Sequence, residues 1–168
     1  MQQKFPPKLT GKYSALMGKN YGLNLPARRA IVTGDSNDNT HMLKGSTVMS
    51  YKVTYRNEAT KYEAPGHFEC LTTRLHNPAD VNEGTIVNGL SHFLPGGGAN
   101  PAVSNFEMIY YIISGEMTVE LYDENDKPTQ YVLHAGDSVH FGKGTKRGCK
   151  NTGVETAQML TVMIKPQA

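Results

Sequence analysis

The chain has 168 residues and a formal net charge of +2, which is enough length for one domain with a real core and, with no basic stripe, argues against nucleic acid as a partner. Apolar residues make up 38% and charged residues 19%, beside 17 glycines and nine prolines, a mixture that suits a loop-rich all-β domain better than a helical bundle. No apolar run approaches the roughly 18 residues of a membrane span, MQQKFPPKLTGKYS has no signal-peptide core, and Cys70 and Cys149 are an unpatterned pair, so a cytoplasmic, reducing setting is expected.

Residues 1–45 are rich in Lys, Gly, Pro and Asn and read as an N-terminal arm with one short strand near residues 30–32, of the kind that lies on a neighbouring subunit. The barrel domain is expected over residues 46–168. TVMSYKVTY (47–55) is rich in β-branched and aromatic residues and reads as a strand, followed by HFECLTTRL (67–75). NPAD (77–80) is a turn. TIVNGLSHFL (85–94) reads as a strand that ends in a glycine-rich loop, PGGGANP. EMIYYII (107–113) is a strand, SGE a tight turn, and MTVELYD (117–123) the antiparallel return. ENDKP turns into QYVLH (130–134), AGD into SVHF (138–141), and GKGTK leads through RGCKN to a last strand, AQMLTVMI (157–164). Eight or nine short strands separated by turn chemistry, with almost no helical periodicity, point to a sandwich or barrel, with a jelly roll a good candidate. The absence of Trp and of a spaced Cys pair disfavours an immunoglobulin-like sandwich.

Residues 94–151 resemble the cupin superfamily, the double-stranded β-helix or jelly-roll barrels. Its first motif is a Gly-rich start, His-x-His, then Glu, six residues and Gly; PGGGANPAVSNFEMIYYIISGE holds that place. Its second is Gly, five residues, Pro-x-Gly, two residues, His, three residues and Asn; AGDSVHFGKGTKRGCKN holds that one. Gly136, Gly144 and Asn151 set the register of the second motif, so Arg147 falls on the histidine position. Gly115 sets the first, which puts Met108 on the carboxylate position and Glu107 one residue early. The histidine positions fall within Pro101 to Ser104, where there is no His. A one-residue shift on a strand turns a side chain to the other face, so all four ligands of the family are replaced unless a bulge re-aims Glu107. A more distant similarity is to the metal-lacking half of ureidoglycine aminohydrolase-type cupins. It implies fold only, since the chemistry of those two-barrel proteins belongs to the other half.

The resemblance therefore implies a barrel without the usual metal. Arg147 is a fixed cation that has no lone pair to give a metal and suits a carboxylate, phosphate or oxyanion. The other reading is an ion pair with an acidic neighbour at the barrel mouth. On simple alternation Cys149 and Asn151 share the side of Arg147, and Met108, Tyr110 and Ile112 face inward. Glu107, Ile109, Tyr111 and Ile113 then face outward, and their apolar character predicts a covering subunit, hence a homodimer or larger homo-oligomer.

His92 would face inward with Leu90 and Leu94 and serve as a general base, against the simpler reading of a structural histidine. His67 and Glu69, at i and i+2, with His92 and a re-aimed Glu107, form an alternative set for a divalent transition metal. His140 is expected to point out, between Val139 and Phe141. Cys149 reads as a buried thiol more readily than as a nucleophile, although Arg147 nearby would lower its pKa. The expected function is binding of a small anionic or carbonyl-containing molecule by Arg147, Tyr110, Met108, Cys149 and Asn151, without a cofactor. His92 and Tyr110 are the catalytic candidates if the chain is a metal-independent isomerase or epimerase, a route the superfamily resemblance implies. Two alternatives stay open: a metal-dependent hydrolase, lyase or dioxygenase on displaced ligands, and a non-catalytic sensor.

Overall fold

The computed structural model describes residues 50–165, so the N-terminal arm (1–45) lies outside the described residues. The described chain forms β1 (Thr60–Tyr62), β2 (His67–His76), a 3-10 turn (Pro78–Asp80), β3 (Ile86–Val103), β4 (Glu107–Ser114), β5 (Glu116–Tyr122), β6 (Pro128–His134), β7 (Ser138–Phe141), β8 (Lys146–Lys150) and β9 (Ala157–Ile164). All pairings are antiparallel, and they build an almost closed jelly-roll barrel. No described helix is long and apolar enough to cross a membrane.

The strand expected at 47–55 is not there. Residues 47–49 lie outside the described residues, and 50–55 have no ladder partner. Side chains tie this segment down instead: Lys52 Nζ to Asp80, Thr54 Oγ1 to the Leu75 carbonyl, and Ser50 Oγ to the Asn82 amide.

The larger correction concerns β3. PGGGANP is not a loop but the middle of an 18-residue strand. Up to Phe93 one edge of β3 pairs with β9; from Gly98 onward β8 takes over that edge, while β2 runs along the other. The glycines permit the handover. A Cβ on Gly97 would collide with the Glu69 carbonyl, and one on Gly98 with the Cys149 carbonyl. The SGE turn is also not a hairpin. β4 pairs with β7 and β9, whereas β5 pairs with β6 and β8. Gly115, at φ +77°, turns the chain from one sheet to the other, and its Cα packs against Ala157 with no room for a side chain.

The core lies between the sheets and is built by alternation: Phe93 from β3, Met108, Tyr110 and Ile112 from β4, Met117 and Val119 from β5, Phe141, Cys149, Ala157 and Met159. Ile109, Tyr111 and Ile113 face out as expected and are about two-fifths exposed, at 37%, 42% and 44%.

A Gly98→Ala substitution is expected to cost about 1–3 kcal/mol in urea denaturation, because two backbones must move apart. Gly142→Ala, where an added Cβ meets nothing within 4 Å, is expected to be neutral within about 0.5 kcal/mol. Equal effects would show that the crossing at Gly98 is not tight.

Candidate functional site

The positions that the motif pairs with metal ligands do meet inside the barrel. Arg147 Nη1 donates to the Ala102 carbonyl at 2.6 Å, and Nη2 reaches the Met108 sulphur at 3.5 Å. Ser104 Oγ lies 3.0 Å from the same sulphur. A thioether, a hydroxyl, a backbone carbonyl and a guanidinium do not fit a divalent transition metal, which needs imidazole, thiolate or carboxylate donors.

The Arg147 guanidinium sits 5.6 Å from the centre of the Phe141 ring. Its Nε is buried with no hydrogen-bond partner. Ion pairs among the described residues leave Arg147 out, so the ion-pair reading finds no acidic partner there. A half-buried cation with an unused N–H is costly unless an acceptor reaches it.

Arg147 lines a cavity of about 40 Å³ with His67, Ala99, Tyr110, Gly148 and Cys149 among its walls. Tyr110 packs edge-on against Phe141 at 5.0 Å. Burial pushes its phenol up to about 12, with Cys149 adding to the rise and Arg147 opposing it, so Tyr110 is a hydrogen-bond donor at neutral pH. Burial likewise pushes the Cys149 thiol up to about 12, outweighing the hydrogen bond from Ala99 and the Arg147 charge. Arg147 does lower this pKa as expected, but desolvation outweighs it.

His67, grouped with Glu69 by spacing, lies in the wall of the Arg147 cavity. Its ring stacks on Phe93 at 6.1 Å and faces the Arg147 cavity. Its Nδ1 lies 3.1 Å from the Pro65 carbonyl; a proton on Nδ1 satisfies that contact, and in the neutral ring it leaves Nε2 as the acceptor. Glu69 does not share its face. A bulge between Phe68 and Cys70 breaks the alternation, with Glu69 at φ +47° and exposed. No bulge re-aims Glu107, which faces out and pairs with His140 Nε2 at 2.8 Å.

His92 also needs correction. The inward residues of β3 are Val87, Gly89, Ser91 and Phe93, so His92 lies on the opposite face with Leu90 and Leu94. Its Nδ1 is buried without a partner, and burial, helped by Arg56, lowers its pKa. It does not join Tyr110. The alternative metal set of His67, Glu69, His92 and Glu107 is therefore not brought together, and no other such cluster exists among the described residues. Asn151 is buried but has little left for a ligand. Its Nδ2 donates to the Phe93 and Glu155 carbonyls at 2.9 and 2.7 Å, and Oδ1 accepts from the Gly153 amide. Met108 touches Arg147 but is itself sealed in the core.

Residues 89–163 match the model of the cupin domain. A protein of Mycobacterium tuberculosis named β-D-galactosidase is 33% identical over 117 residues, covering 70% of this chain and 97% of its own. The chain belongs to the cupin family. Among solved structures, the polyketide cyclase RemF of Streptomyces resistomycificus matches this cupin with a TM-score of 0.58 at 19% identity, over 69% of this chain and 80% of that one. An RmlC-like cupin of Shewanella frigidimarina matches with a TM-score of 0.53 at 14% identity, over 70% and 94%. These two likenesses concern the fold.

In native protein at pH 8, thiol reagents mapped by mass spectrometry are expected to leave Cys149 unmodified until unfolding. Rapid native-state labelling of Cys149 would contradict its burial and raised pKa.

Proposed function

We propose that this cupin binds a small organic anion, or a carbonyl group that gains negative charge, at Arg147. The supporting observation is the buried Arg147 Nε, an N–H of a permanent cation that has neither a hydrogen-bond partner nor a carboxylate within ion-pair distance among the described residues. An oxyanion would satisfy it with a charge-assisted bond. The small cavity volume admits one carboxylate or carbonyl end, with the rest of the ligand at the opening beside Pro65 and Asn100.

The same walls carry the pieces of an enolising isomerase. Arg147 would hold the carbonyl oxygen, His67 Nε2 would take the proton from the adjacent carbon, and the Tyr110 hydroxyl would hydrogen-bond the oxygen as charge develops. The proton then returns from His67 to carbon, which makes the step balanced without a cofactor. His67 replaces His92 in this role because only His67 faces the cavity.

The galactosidase name of the mycobacterial relative supports a second reading, hydrolysis of a galactoside. Glycoside hydrolysis ordinarily uses two carboxyl groups about 5–10 Å apart, and the Arg147 cavity wall contains none. The first reading is therefore preferred.

Thermal-shift titration with small carboxylates and 2-oxo acids is expected to raise the Tm of the wild type. Arg147→Gln should weaken that response by about tenfold or more. Undiminished shifts in the variant would sink the anion reading. In a separate assay, 4-nitrophenyl β-D-galactoside is expected to stay intact; turnover by the purified chain that disappears in Arg147→Gln would establish the second reading instead.

A further inference from the structure

A second cavity, of about 300 Å³, opens at the end of the barrel where β4 begins and β9 finishes. It is lined by Arg74, Asn77, Val87, Phe106, Met163 and Lys165 and shares no wall residue with the Arg147 cavity. Arg74 belongs to β2, and the face of its guanidinium rests on the Tyr62 ring at 4.3 Å. That stacking orients the group and leaves its edge for acceptors, yet Nη1 is buried with no hydrogen-bond partner. Lys165, just past the end of β9, adds a second cation. Neither cation has a carboxylate within ion-pair distance among the described residues. Asp80, close in the chain to the Asn77 wall, is already held by Lys52 Nζ at 2.9 Å and the Asn77 amide at 2.8 Å. The remaining wall is apolar: Val87 is buried, and Phe106 and Met163 pack against the core.

Two cations and an apolar wall in one cavity describe an amphipathic ligand. We propose that this cavity binds an organic phosphate monoester, with the phosphoryl group on Arg74 and Lys165 and an apolar or aromatic body on Val87, Phe106 and Met163. A dianion matches two uncompensated positive charges better than a monoanion does, and the guanidinium edge matches the spacing of two phosphoryl oxygens. The volume lies at the small end of ligand cavities, room for a single ring system and its phosphate. This site is independent of the Arg147 reading and stands or falls separately.

The test is NMR of the full chain labelled with 13C at the methionine methyls, titrated with phenyl phosphate. The Met163 methyl is expected to shift saturably. Benzyl alcohol and inorganic phosphate, each with half of the ligand chemistry, are expected to leave it in place at the same concentration. Benzoate should bind about tenfold more weakly, and equal affinity would overturn the phosphate assignment. Lys165→Gln, at an exposed position, and Arg74→Gln should each weaken phenyl phosphate by about tenfold; Lys127→Gln, on the β5–β6 turn, controls for general loss of charge. An unmoved Met163 methyl overturns the proposal. So does binding that survives both Lys165→Gln and Arg74→Gln, or that is lost in Arg147→Gln while both of those keep it.

Discussion

The architecture depends on one close crossing. β3 serves both sheets, and the exchange of β9 for β8 along its edge occurs at Gly96–Gly98. Asn151 secures that exchange from the other side. Its backbone amide donates to the Gly97 carbonyl, and its own carbonyl accepts from the Gly96 amide. Its side-chain amide then bridges the Phe93 and Glu155 carbonyls inside the protein. Asn151, Gly97 and Phe93 are buried, so their polar groups would be orphans without these partners. The glycines are required for the approach and the asparagine for the bonding, so neither works without the other.

The crossing also sets the candidate site. β8 can present Arg147 and Cys149 to the interior only because it lies along β3 beyond Gly98, where Arg147 faces Ala102 across the ladder. The geometry that brings ligands to a metal in other members of the family here brings a guanidinium to a thioether and a backbone carbonyl. Such a centre repels cations and attracts anions. Tyr110 and Cys149 beside it are both held protonated by burial, so the permanent charge in that cavity is that of Arg147. This arrangement is what supports the proposal of a ligand that carries the negative charge itself.

Much of the barrel was legible in the chain. β9 begins and ends where AQMLTVMI does, and the alternation of EMIYYII placed Met108, Tyr110 and Ile112 inside. The register that put Arg147 and Met108 together followed from glycines with positive φ at 115, 136 and 144, positions where only glycine is comfortable. The failures share a cause. Triple glycine reads as loop because its propensity for strands is poor, and nothing local reports that a neighbouring carbonyl forbids a Cβ. His92 was placed inward by grouping it with Leu90 and Leu94, whereas those three cover the outer face of a sheet with apolar residues on both sides. Glu69 was paired with His67 by counting in twos, and a single bulge residue breaks that count.

By itself the sequence determined the all-β class, the cupin family, most strand limits and the absence of the usual ligands from their motif positions, since these follow from local alternation, turn residues and fixed spacings. Only the tertiary structure decided that His67 rather than His92 shares a cavity with Tyr110 and Arg147, that Asn151 is a strut, and that Arg74 and Lys165 line one cavity. Those facts depend on which strands lie side by side and on which residue a bulge inserts. Both are settled by long-range backbone contact, which residues close in sequence do not encode.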